Sequence, residues 1–311
     1  MDDDWEREFM MTQEELDEIA DPSWLYRDLI IQGHVIVIVA PPNGGKTTIF
    51  EYIAAQIARD ITKRVIYINA DISGPDMKRS YNKAINGGYS LLTPDGKVGK
   101  SMDDVVKKLM DFNDEGENQA GRIYIFDTYK KMVNVINKTK NKILLKVLRS
   151  LSTKGATIIL LGHTNKYPDS EGNYVYEGTG DVRADVDELI YLIPLKKDDG
   201  SMVVSTKPDK IRGDFKPITF NISPDRMVTQ EDGFVDINYE KSLIENQEIA
   251  SIIKMAIVMG HNHQASIIGF SKKEGGFSKR KVLDILKTFT PRMWTTKNIG
   301  ENNKLIYELR D

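Results

Sequence analysis

The sequence predicts an α/β fold with a mostly parallel sheet, followed by a smaller separate unit at the carboxyl end. Two patterns lead to this prediction. From about residue 24 to residue 222, apolar segments of strand length alternate with segments of helical periodicity, as in parallel sheets that are covered by helices on both faces. Beyond residue 240 the pattern changes to short amphipathic helices and one hairpin, which indicates a second folding unit.

Composition restricts the class of protein. The chain has 311 residues, of which 40% are hydrophobic, and this suffices for one large core and a small second domain. It contains no cysteine, which excludes disulfide frameworks and thiolate metal sites. The acidic N-terminus has no apolar signal segment, and no apolar run reaches membrane-spanning length. These features predict a cytoplasmic protein without membrane contact.

Charge is distributed unevenly along the chain. Residues 1–28 contain 11 acidic and 2 basic side chains, whereas residues 251–311 contain 5 acidic and 11 basic ones. The intervening residues 29–250 hold 30 of each sign. The basic end predicts a surface that binds a polyanion, and the alternative is a solvated lysine-rich face.

The elements are predicted in the following order. An acidic arm contains a short helix that begins at a capping-box sequence over residues 12–15 and turns Leu16 and Ile19 inward. Strands are predicted at 34–39, 64–69, 122–127, 156–162, 188–194, 202–206 and 217–222, and helices at 46–59, 75–86, 101–112 and 140–153. The last three strands lack long helices between them, which predicts an antiparallel edge. Residues 223–240 are expected to form a linker.

A phosphate-binding loop follows the first strand of this series. Residues 40–48 fit the pattern [AG]-x4-G-K-[ST], with alanine at the first position. Glycine lets the backbone wrap around a polyphosphate, and the N-terminus of the next helix adds a positive dipole end. Lys46 is expected to reach the β- and γ-phosphates, and the Thr47 hydroxyl to coordinate Mg²⁺. The predicted ligand-binding residues are Pro42, Asn43, Gly44, Gly45, Lys46, Thr47 and Thr48.

Two acidic residues follow other predicted strands. Asp127 ends the strand at 122–127 and is expected to hold Mg²⁺ together with Thr47. Asp71 follows the strand at 64–69, which we interpret as inserted between the loop strand and the strand of Asp127. That position predicts that Asp71 polarises the water that attacks the γ-phosphate. The alternative is an ordinary turn residue.

Polar and glycine-rich segments follow the strand at 156–162. His163 or Asn165 is predicted to sense the γ-phosphate and to relay its loss to the next loop. The loop 167–181 is predicted to approach single-stranded nucleic acid through Gly178 and Gly180. It also carries tyrosines that can stack on bases, at Tyr167, Tyr174 and Tyr176. The alternative is a flexible surface hairpin.

Lys210 and Arg212 alternate at the predicted sheet edge and are expected to point to the same side. They lie far in sequence from Lys46, so we interpret them as finger-type cations that act on the γ-phosphate of a neighbouring subunit. This role requires a head-to-tail assembly, either a ring or a filament. The alternative is ordinary hairpin charge.

The C-terminal pattern is typical of a winged helix-turn-helix domain. Helices are predicted at 245–259 and 264–270, Ser278 caps a third helix, and residues 294–307 form a two-stranded wing. The third helix carries cations that are predicted to meet DNA phosphates, Lys279, Arg280 and Lys281. The alternative is a domain that binds a protein.

Together these segments resemble the RecA-fold ATPases, in particular the RepA-like branch of hexameric helicase-type ATPases. The resemblance covers about residues 22–222 and rests on the phosphate-binding loop and on residues 67–71, 126–131, 162–166 and 210–212. It implies ATP and Mg²⁺ as cofactors, single-stranded DNA as a partner, and a ring of six subunits. Duplex DNA is a second expected partner, through the basic C-terminal unit. The resemblance also implies a bacterial, phage or plasmid context.

The resemblance assigns roles to individual residues. The family's loop lysine and threonine fall on Lys46 and Thr47, and its Mg²⁺ acid falls on Asp127. Its sensor falls on His163, where related helicases often have glutamine, and its trans fingers fall on Lys210 and Arg212. Related replicative helicases usually have glutamate at the position of Asp71, and the aspartate side chain is one methylene shorter.

The sequence therefore predicts an acidic arm at 1–21, a RecA-like ATPase domain at 22–235, and a linker with a winged helix-turn-helix domain at 236–311. The predicted function is an ATP-driven DNA motor, a ring-forming helicase or translocase of replication or mobile elements. The alternatives are a recombination or strand-annealing ATPase that forms a filament, and an ATP-gated switch that binds DNA or a partner.

Overall fold

The computed structural model describes residues 6–7, 10–17, 23–72, 74–94, 99–132, 138–165, 174–177, 180–299 and 304–310. The chain divides into two compact units, Met1–Val235 and Asp236–Asp311. None of the helices within the described ranges is long and apolar enough to cross a membrane.

The first unit is built on a nine-stranded sheet. A separate antiparallel pair precedes it, β1 (Trp24–Tyr26) and β2 (Ile30–Ile31). The strands of the sheet in chain order are β3 (Val35–Ala40), β4 (Arg64–Asn69), β5 (Ser90–Leu92), β6 (Arg122–Asp127), β7 (Thr157–His163), β8 (Glu188–Lys196), β9 (Met202–Lys210), β10 (Thr219–Ile222) and β11 (Val228–Gln230).

The strand order across the sheet is β11-β10-β9-β8-β3-β7-β6-β4-β5. The pairings from β8 through β3 to β5 are parallel, and β8, β9, β10 and β11 pair antiparallel. The predicted α/β class with a mostly parallel sheet is confirmed. The prediction that the strand at 64–69 lies between the loop strand and the strand of Asp127 is wrong, because β7 occupies that place and β4 lies outside β6.

Helices cover both faces of this sheet. In chain order the helices of the unit are α1 (Gln13–Asp17), α2 (Lys46–Ile57), α3 (Gly74–Gly87), α4 (Met102–Asp114), α5 (Lys138–Thr153) and α6 (Gly180–Asp185). Alternate residues of β3 enter two separate cores. Ile36 and Ile38 pack with α2 in one core, whereas Val35 and Val37 pack with α4 and α5 in the other. The long apolar strands of the sequence are therefore buried on both faces.

Several short elements differ from the prediction. The predicted linker at 223–240 is wrong, since it contains β11 and the first residues of the next helix. β11 is mostly polar, and only Val228 of its three residues is half-buried against the core, too few to show an apolar alternation. Leu16 is 47% exposed rather than turned inward, and Ile19 lies outside the described residues.

The second unit consists of helices followed by a hairpin. Its elements are α7 (Ile237–Glu245), α8 (Gln247–Val258), α9 (Gln264–Gly275), α10 (Lys279–Phe289), β12 (Trp294–Ile299) and β13 (Lys304–Leu309), the two strands being antiparallel. The predicted helix at 245–259 corresponds to α8, whereas α7, which ends just before Asn246, was not predicted. Trp294 is fully buried, and its indole N–H donates to the Leu286 carbonyl at 2.9 Å. The Ser278 hydroxyl accepts from the Lys281 amide and caps α10.

Candidate functional site

A cleft of about 790 Å³ lies where the loop after β3 meets the ends of β4 and β6. Most of the predicted ligand-binding residues line it, from Asn43 to Thr48. Pro42 differs from the prediction, because Pro41 lines the cleft and Pro42 is exposed. In sheets of this class, ligands usually bind at the carboxyl ends of the parallel strands.

The loop requires glycine at two positions. Gly45 has a φ of +85°, and a Cβ there would lie 2.6 Å from Cδ1 of Ile222 on β10. A Cβ on Gly44 would lie 2.8 Å from the Pro41 carbonyl oxygen, which accepts from the Gly44 amide at 3.0 Å. A Cβ at Gly44 would press on the Pro41 backbone, and a Cβ at Gly45 would have to displace the Ile222 side chain. The loop is thus held in a compact curve at the start of α2, where unpaired helix N–H groups favour an anion.

Asp127 receives three hydrogen bonds at the base of the cleft. Thr47 Oγ1 donates to its Oδ2 at 2.6 Å, and Lys46 Nζ donates to its Oδ1 at 3.2 Å. The Tyr67 hydroxyl donates to Oδ2 at 2.9 Å. Burial, and next the nearby Asp127 charge, raise the pKa of Tyr67 well above its usual value, so the phenol stays protonated. Asp127 itself is 2% exposed. Burial and the three donors together hold its carboxylate in one orientation.

Thr47 and Asp127 fit a Mg²⁺ ion bound with nucleotide phosphates. A hydroxyl and a carboxylate oxygen that touch each other are hard donors, and Mg²⁺ commonly uses few protein ligands besides phosphates and waters. Within the described part of the chain, no group of three or more histidine, aspartate or glutamate residues is placed to hold a metal ion. The donor set therefore suits a metal that arrives with a phosphate ligand.

Asp71 lies at the rim of the same cleft. Its Oδ2 accepts from Thr128 Oγ1 at 3.1 Å, and its Oδ1 lies 3.5 Å from Lys131 Nζ. Its backbone amide donates to the Asn69 side-chain oxygen at 3.0 Å, which shapes the turn after β4. Since β4 pairs directly with β6, Asp71 still reaches the cleft although its strand is not inserted as predicted.

His163 ends β7 and faces the cleft from between β3 and β6. Its Nδ1 is buried and has no hydrogen-bond partner. Burial, and next the positive charge of Lys46, lower the pKa of the imidazole. A neutral imidazole with an unpaired ring nitrogen is suited to contact a ligand group that enters the cleft.

The segment after His163 is tied back to β7. The Glu177 amide donates to the His163 carbonyl at 2.9 Å, and Thr164 pairs with Tyr176. Tyr176 packs against the second sheet core, and its amide donates to the Tyr191 hydroxyl. The prediction that Tyr176 stacks on bases is therefore wrong, because its ring is part of the fold.

The rest of the predicted nucleic-acid loop is only partly described. Gly178 and Tyr167 lie outside the described residues. Gly180 is the first residue of α6. Tyr174 is half-buried.

Lys210 and Arg212 lie at the opposite end of the sheet from the cleft. Lys210 pairs with the start of β8, and Glu188 at that start pairs with Ile36 at the beginning of β3. Lys210 Nζ donates to the carbonyls of Arg183, Ala184 and Val186 at 2.6–2.9 Å and so caps the end of α6. Within its own chain Lys210 is thus saturated by backbone acceptors.

Arg212 forms an ion pair with Asp187 at 3.0 Å, and its side chain is 55% exposed. Asp187 also accepts from Arg149 at 3.2 Å and from the Val35 amide at 2.9 Å. Neither Lys210 nor Arg212 lines the cleft. Sequence reasoning placed both cations away from Lys46 but gave no indication of their partners.

A buried pair next to Asp187 was missed by the sequence analysis. Glu188 is fully buried, and its Oε1 lies 2.7 Å from His34 Nδ1. The hydrogen bond to Glu188 raises the pKa of His34, and burial partly opposes it. The available signal was an acidic pair, Asp187 and Glu188, at the start of an otherwise apolar strand.

In the second unit, the predicted phosphate-contacting cations are solvent-exposed. The first turn of α10 carries Lys279, Arg280 and Lys281, and no acidic residue lies in that turn. Cations are unfavourable near a helix N-terminus, where the dipole is already positive. An anionic partner would relieve this repulsion.

The chain is similar to known proteins in sequence and in fold. A family model described as an AAA domain matches residues 6–169. The crystal structure of the flagellar accessory protein FlaH from Methanocaldococcus jannaschii is 16% identical, with a TM-score of 0.47, over 66% of this chain and 92% of that chain. The crystal structure of the RadB recombinase is 16% identical, with a TM-score of 0.43, over 64% of this chain and 91% of that chain. No curated protein matches the chain.

Proposed function

Because the chain belongs to the AAA domain family, we propose that it is an ATP-hydrolysing motor that binds DNA and assembles head to tail. Family membership and the α/β sheet support an ATPase. The observation that carries the proposal is the convergence of Lys46 and Thr47 on the buried carboxylate of Asp127 at the mouth of a phosphate-binding loop. The finer assignment is a ring-forming helicase or translocase.

The residues of the cleft suit hydrolysis of the terminal phosphate. The loop amides and Lys46 bind the phosphates, and a bound Mg²⁺ would neutralise charge on them beside Thr47 and Asp127. In the step, a water oxygen bonds to the γ-phosphorus as the bond from that phosphorus to the bridging oxygen breaks, and ADP leaves with the electron pair. Asp71 orients the water and accepts its proton. His163 contacts the γ-phosphate and registers its departure.

The proposed DNA contacts lie in both units. In the first, the segment between β7 and α6 approaches single-stranded DNA, and the hydrogen bond from the Glu177 amide to the His163 carbonyl couples it to the cleft. In the second, the exposed cations at the start of α10 meet phosphates, as a recognition helix of a winged helix-turn-helix domain would. Lys272 and Lys273 at the end of α9 add to the positive charge of this unit.

Arg212 is proposed to act on the nucleotide of a neighbouring subunit. It lies near the amino end of β3, whereas the cleft lies at the carboxyl end, a strand length of roughly 20 Å away. It cannot serve its own nucleotide from there, but a head-to-tail neighbour would bring its cleft to this face. Lys210 would have to leave the end of α6 to take part, so the proposal rests mainly on Arg212.

A filament-forming recombination ATPase is the second candidate, since the same cleft and a head-to-tail contact would serve it equally. A head-to-tail contact gives a ring when the rotation between neighbouring subunits closes on itself and a helical filament when it does not. That rotation is a property of the assembly. Electron micrographs of the protein with an ATP analogue and single-stranded DNA distinguish the two. Closed six-fold particles support the ring, and helical fibres support the recombination ATPase.

The ATPase assignment is tested by Lys46→Ala. Loss of the cation that faces the phosphates should lower Mg²⁺-dependent phosphate release by roughly 10²-fold or more, as for other groups that stabilise transition-state charge. Lys63→Ala is the matched control, because Lys63 contacts Gln32 and does not line the cleft. Equal hydrolysis by the wild type and Lys46→Ala, with both folded by circular dichroism, would show that the site is assigned wrongly.

A further inference from the structure

We infer that Thr128 and Lys131 are positioning residues that hold the Asp71 carboxylate in the orientation needed for water activation. The inference rests on the proposed function, in which Asp71 accepts the proton of the attacking water. Asp71 follows β4 directly and its side chain is 44% exposed, so packing alone does not fix its rotamer. The structure gives it two side-chain partners, one for each carboxylate oxygen.

Thr128 is placed to orient one oxygen. It is 3% exposed and directly follows Asp127, so the backbone that fixes Asp127 also fixes Thr128. β4 and β6 pair up to Asn69 and Asp127, and the Ala70 amide donates to the Asp127 carbonyl at 2.9 Å. This extension of the ladder sets Asp71 opposite Thr128. Thr128 Oγ1 therefore donates to Asp71 Oδ2 from a rigid position.

The Thr128 hydroxyl does not cap the helix that follows it. Thr128 precedes the short 3₁₀ helix Tyr129–Lys131, where a threonine side chain would often cap the backbone. Its side chain makes no capping hydrogen bond there. The Lys131 amide instead donates to the Thr128 carbonyl at 3.0 Å, which leaves the hydroxyl directed to Asp71.

Lys131 approaches the second carboxylate oxygen from outside the cleft. Tyr129 and Met132 are buried and anchor the 3₁₀ helix, so the intervening lysines project outward. Lys131 Nζ lies 3.5 Å from Asp71 Oδ1, whereas Lys130 Nζ pairs with Glu177 at 2.8 Å. Two adjacent lysines thus have different partners, and this provides a matched comparison.

The orientation matters because the acid is short. An aspartate reaches less far than a glutamate, so a rotation about its side-chain bonds removes it from the water altogether. Misplacement of a reacting group by about 1 Å can cost 10²-fold in rate. A hydroxyl on one carboxylate oxygen and an ammonium group near the other limit that rotation.

The test uses steady-state ATP hydrolysis by the full chain. Thr128→Val keeps the shape of the side chain and removes the hydroxyl, and we expect kcat to fall roughly 10- to 100-fold with KM and ADP affinity unchanged. Thr128→Ser should restore most of the rate. Lys131→Met should lower kcat several-fold and Lys131→Arg should recover it, while Lys130→Met keeps the wild-type rate in the absence of DNA.

A double-mutant cycle separates positioning from a direct contact with the phosphate. In an Asp71→Asn background, Thr128→Val should cause little further loss, because its partner is already altered. The inference is overturned if Thr128→Val keeps the wild-type kcat, if it loses ADP affinity in proportion, or if Lys130→Met and Lys131→Met lose equally. It is also overturned if the rate loss of the Asp71→Asn, Thr128→Val double variant equals the product of the losses of the two single variants.

These outcomes also separate this inference from the proposed function. A wild-type chain that hydrolyses no ATP contradicts the proposed function. An Asp71→Asn variant as fast as the wild type contradicts the role of Asp71 in activating water, and with it the positioning role, but not the ATPase assignment. A slow Asp71→Asn variant beside a fast Thr128→Val variant contradicts only the positioning role.

Discussion

At the scale of single residues, a few buried polar side chains organise each end of the sheet. At the carboxyl end, Lys46, Thr47 and Tyr67 all donate to Asp127. At the amino end, His34 pairs with the buried Glu188. Buried polar groups are costly unless they are paired, so each set also stabilises the strands that carry it.

The pKa values of His34, at the amino end, and His163, at the cleft, are shifted in opposite directions from the ordinary value of 6.5. The hydrogen bond to Glu188 raises the pKa of His34, helped by Asp187 and opposed by Arg212. Burial lowers the pKa of His163. The His34 pair therefore stabilises the fold fully below pH 6.5 and loses this effect as the pH rises through the raised pKa. His163 instead costs stability as the pH falls below 6.5, because the unfolded chain binds that proton more readily.

Histidine NMR titration measures the two pKa values, with His34→Gln and His163→Gln assigning the signals. Urea unfolding gives the linked stability, and His34→Gln should lose more free energy of unfolding at about pH 6 than at about pH 9, by roughly 1–3 kcal/mol for a buried polar group left unpaired. Equal losses at both pH values, or a His34 pKa below that of His163, would contradict this account of the site.

The local sequence was sufficient to predict that Lys46, Thr47 and Asp127 lie together, because a glycine-rich loop and an acid at a strand end have strong local patterns. It was not sufficient for Tyr67 or Thr128. A tyrosine in an apolar strand and a threonine in a turn have many ordinary roles. Their contacts with Asp127 and Asp71 depend on which strands are neighbours in the sheet, and that order is a tertiary property.

At the scale of elements, the phosphate-binding loop depends on a strand far away in sequence. The Cβ that alanine would add at Gly45 lies 2.6 Å from Ile222 and 3.2 Å from Met202, on β10 and β9. The antiparallel edge of the sheet therefore supports the back of the loop. The sequence predicted that edge but not its contact with the loop.

Gly45→Ala tests this support, with Gly33→Ala as the control. Both glycines have positive φ, but a Cβ at Gly33 meets nothing within 4 Å. Gly33→Ala should cost only backbone strain of roughly 1–2 kcal/mol. Gly45→Ala should cost roughly 1–3 kcal/mol more through the clash and should weaken binding of a fluorescent ATP analogue. Equal losses of stability and equal nucleotide affinity in the two variants would show that the edge strands do not support the loop.

The segment from 223 to 240 shows why short elements escape sequence reasoning. Its proline, glycine and aspartate content is typical of a linker, yet three of its residues form the edge strand β11. A strand this short has too few residues to display periodicity, and its hydrogen bonds to β10 decide its conformation. The long helices α2, α4 and α5 carry enough turns for their apolar faces to be read directly.

At the scale of the whole molecule, the two units carry different charge and are proposed to make different DNA contacts. Replacing Lys279, Arg280 and Lys281 together by alanine in the full chain should weaken duplex binding and reduce its salt dependence. Each lost phosphate contact lowers the logarithmic salt slope by about 0.7–0.9. ATP hydrolysis without DNA should be unchanged, because these residues belong to the second unit.

Fluorescence anisotropy with a labelled duplex, over a series of salt concentrations, measures that slope. An unchanged slope in the triple variant would mean that α10 is not a DNA reader. The basic face of the second unit would then be reassigned to docking a protein partner, the alternative that the sequence left open.

The central claim is that the site is completed by a neighbouring subunit, and mixing two inactive variants tests it most directly. Arg212→Ala should bind nucleotide but hydrolyse it roughly 10³-fold more slowly, the scale of an arginine supplied in trans. Lys46→Ala should lose hydrolysis through its own cleft. Mixed assemblies contain some interfaces with an intact Lys46 facing an intact Arg212, so the account predicts that hydrolysis reappears on mixing and is highest near equal proportions. Full activity of Arg212→Ala alone, or no recovery at any ratio in assemblies shown to be mixed, would contradict it.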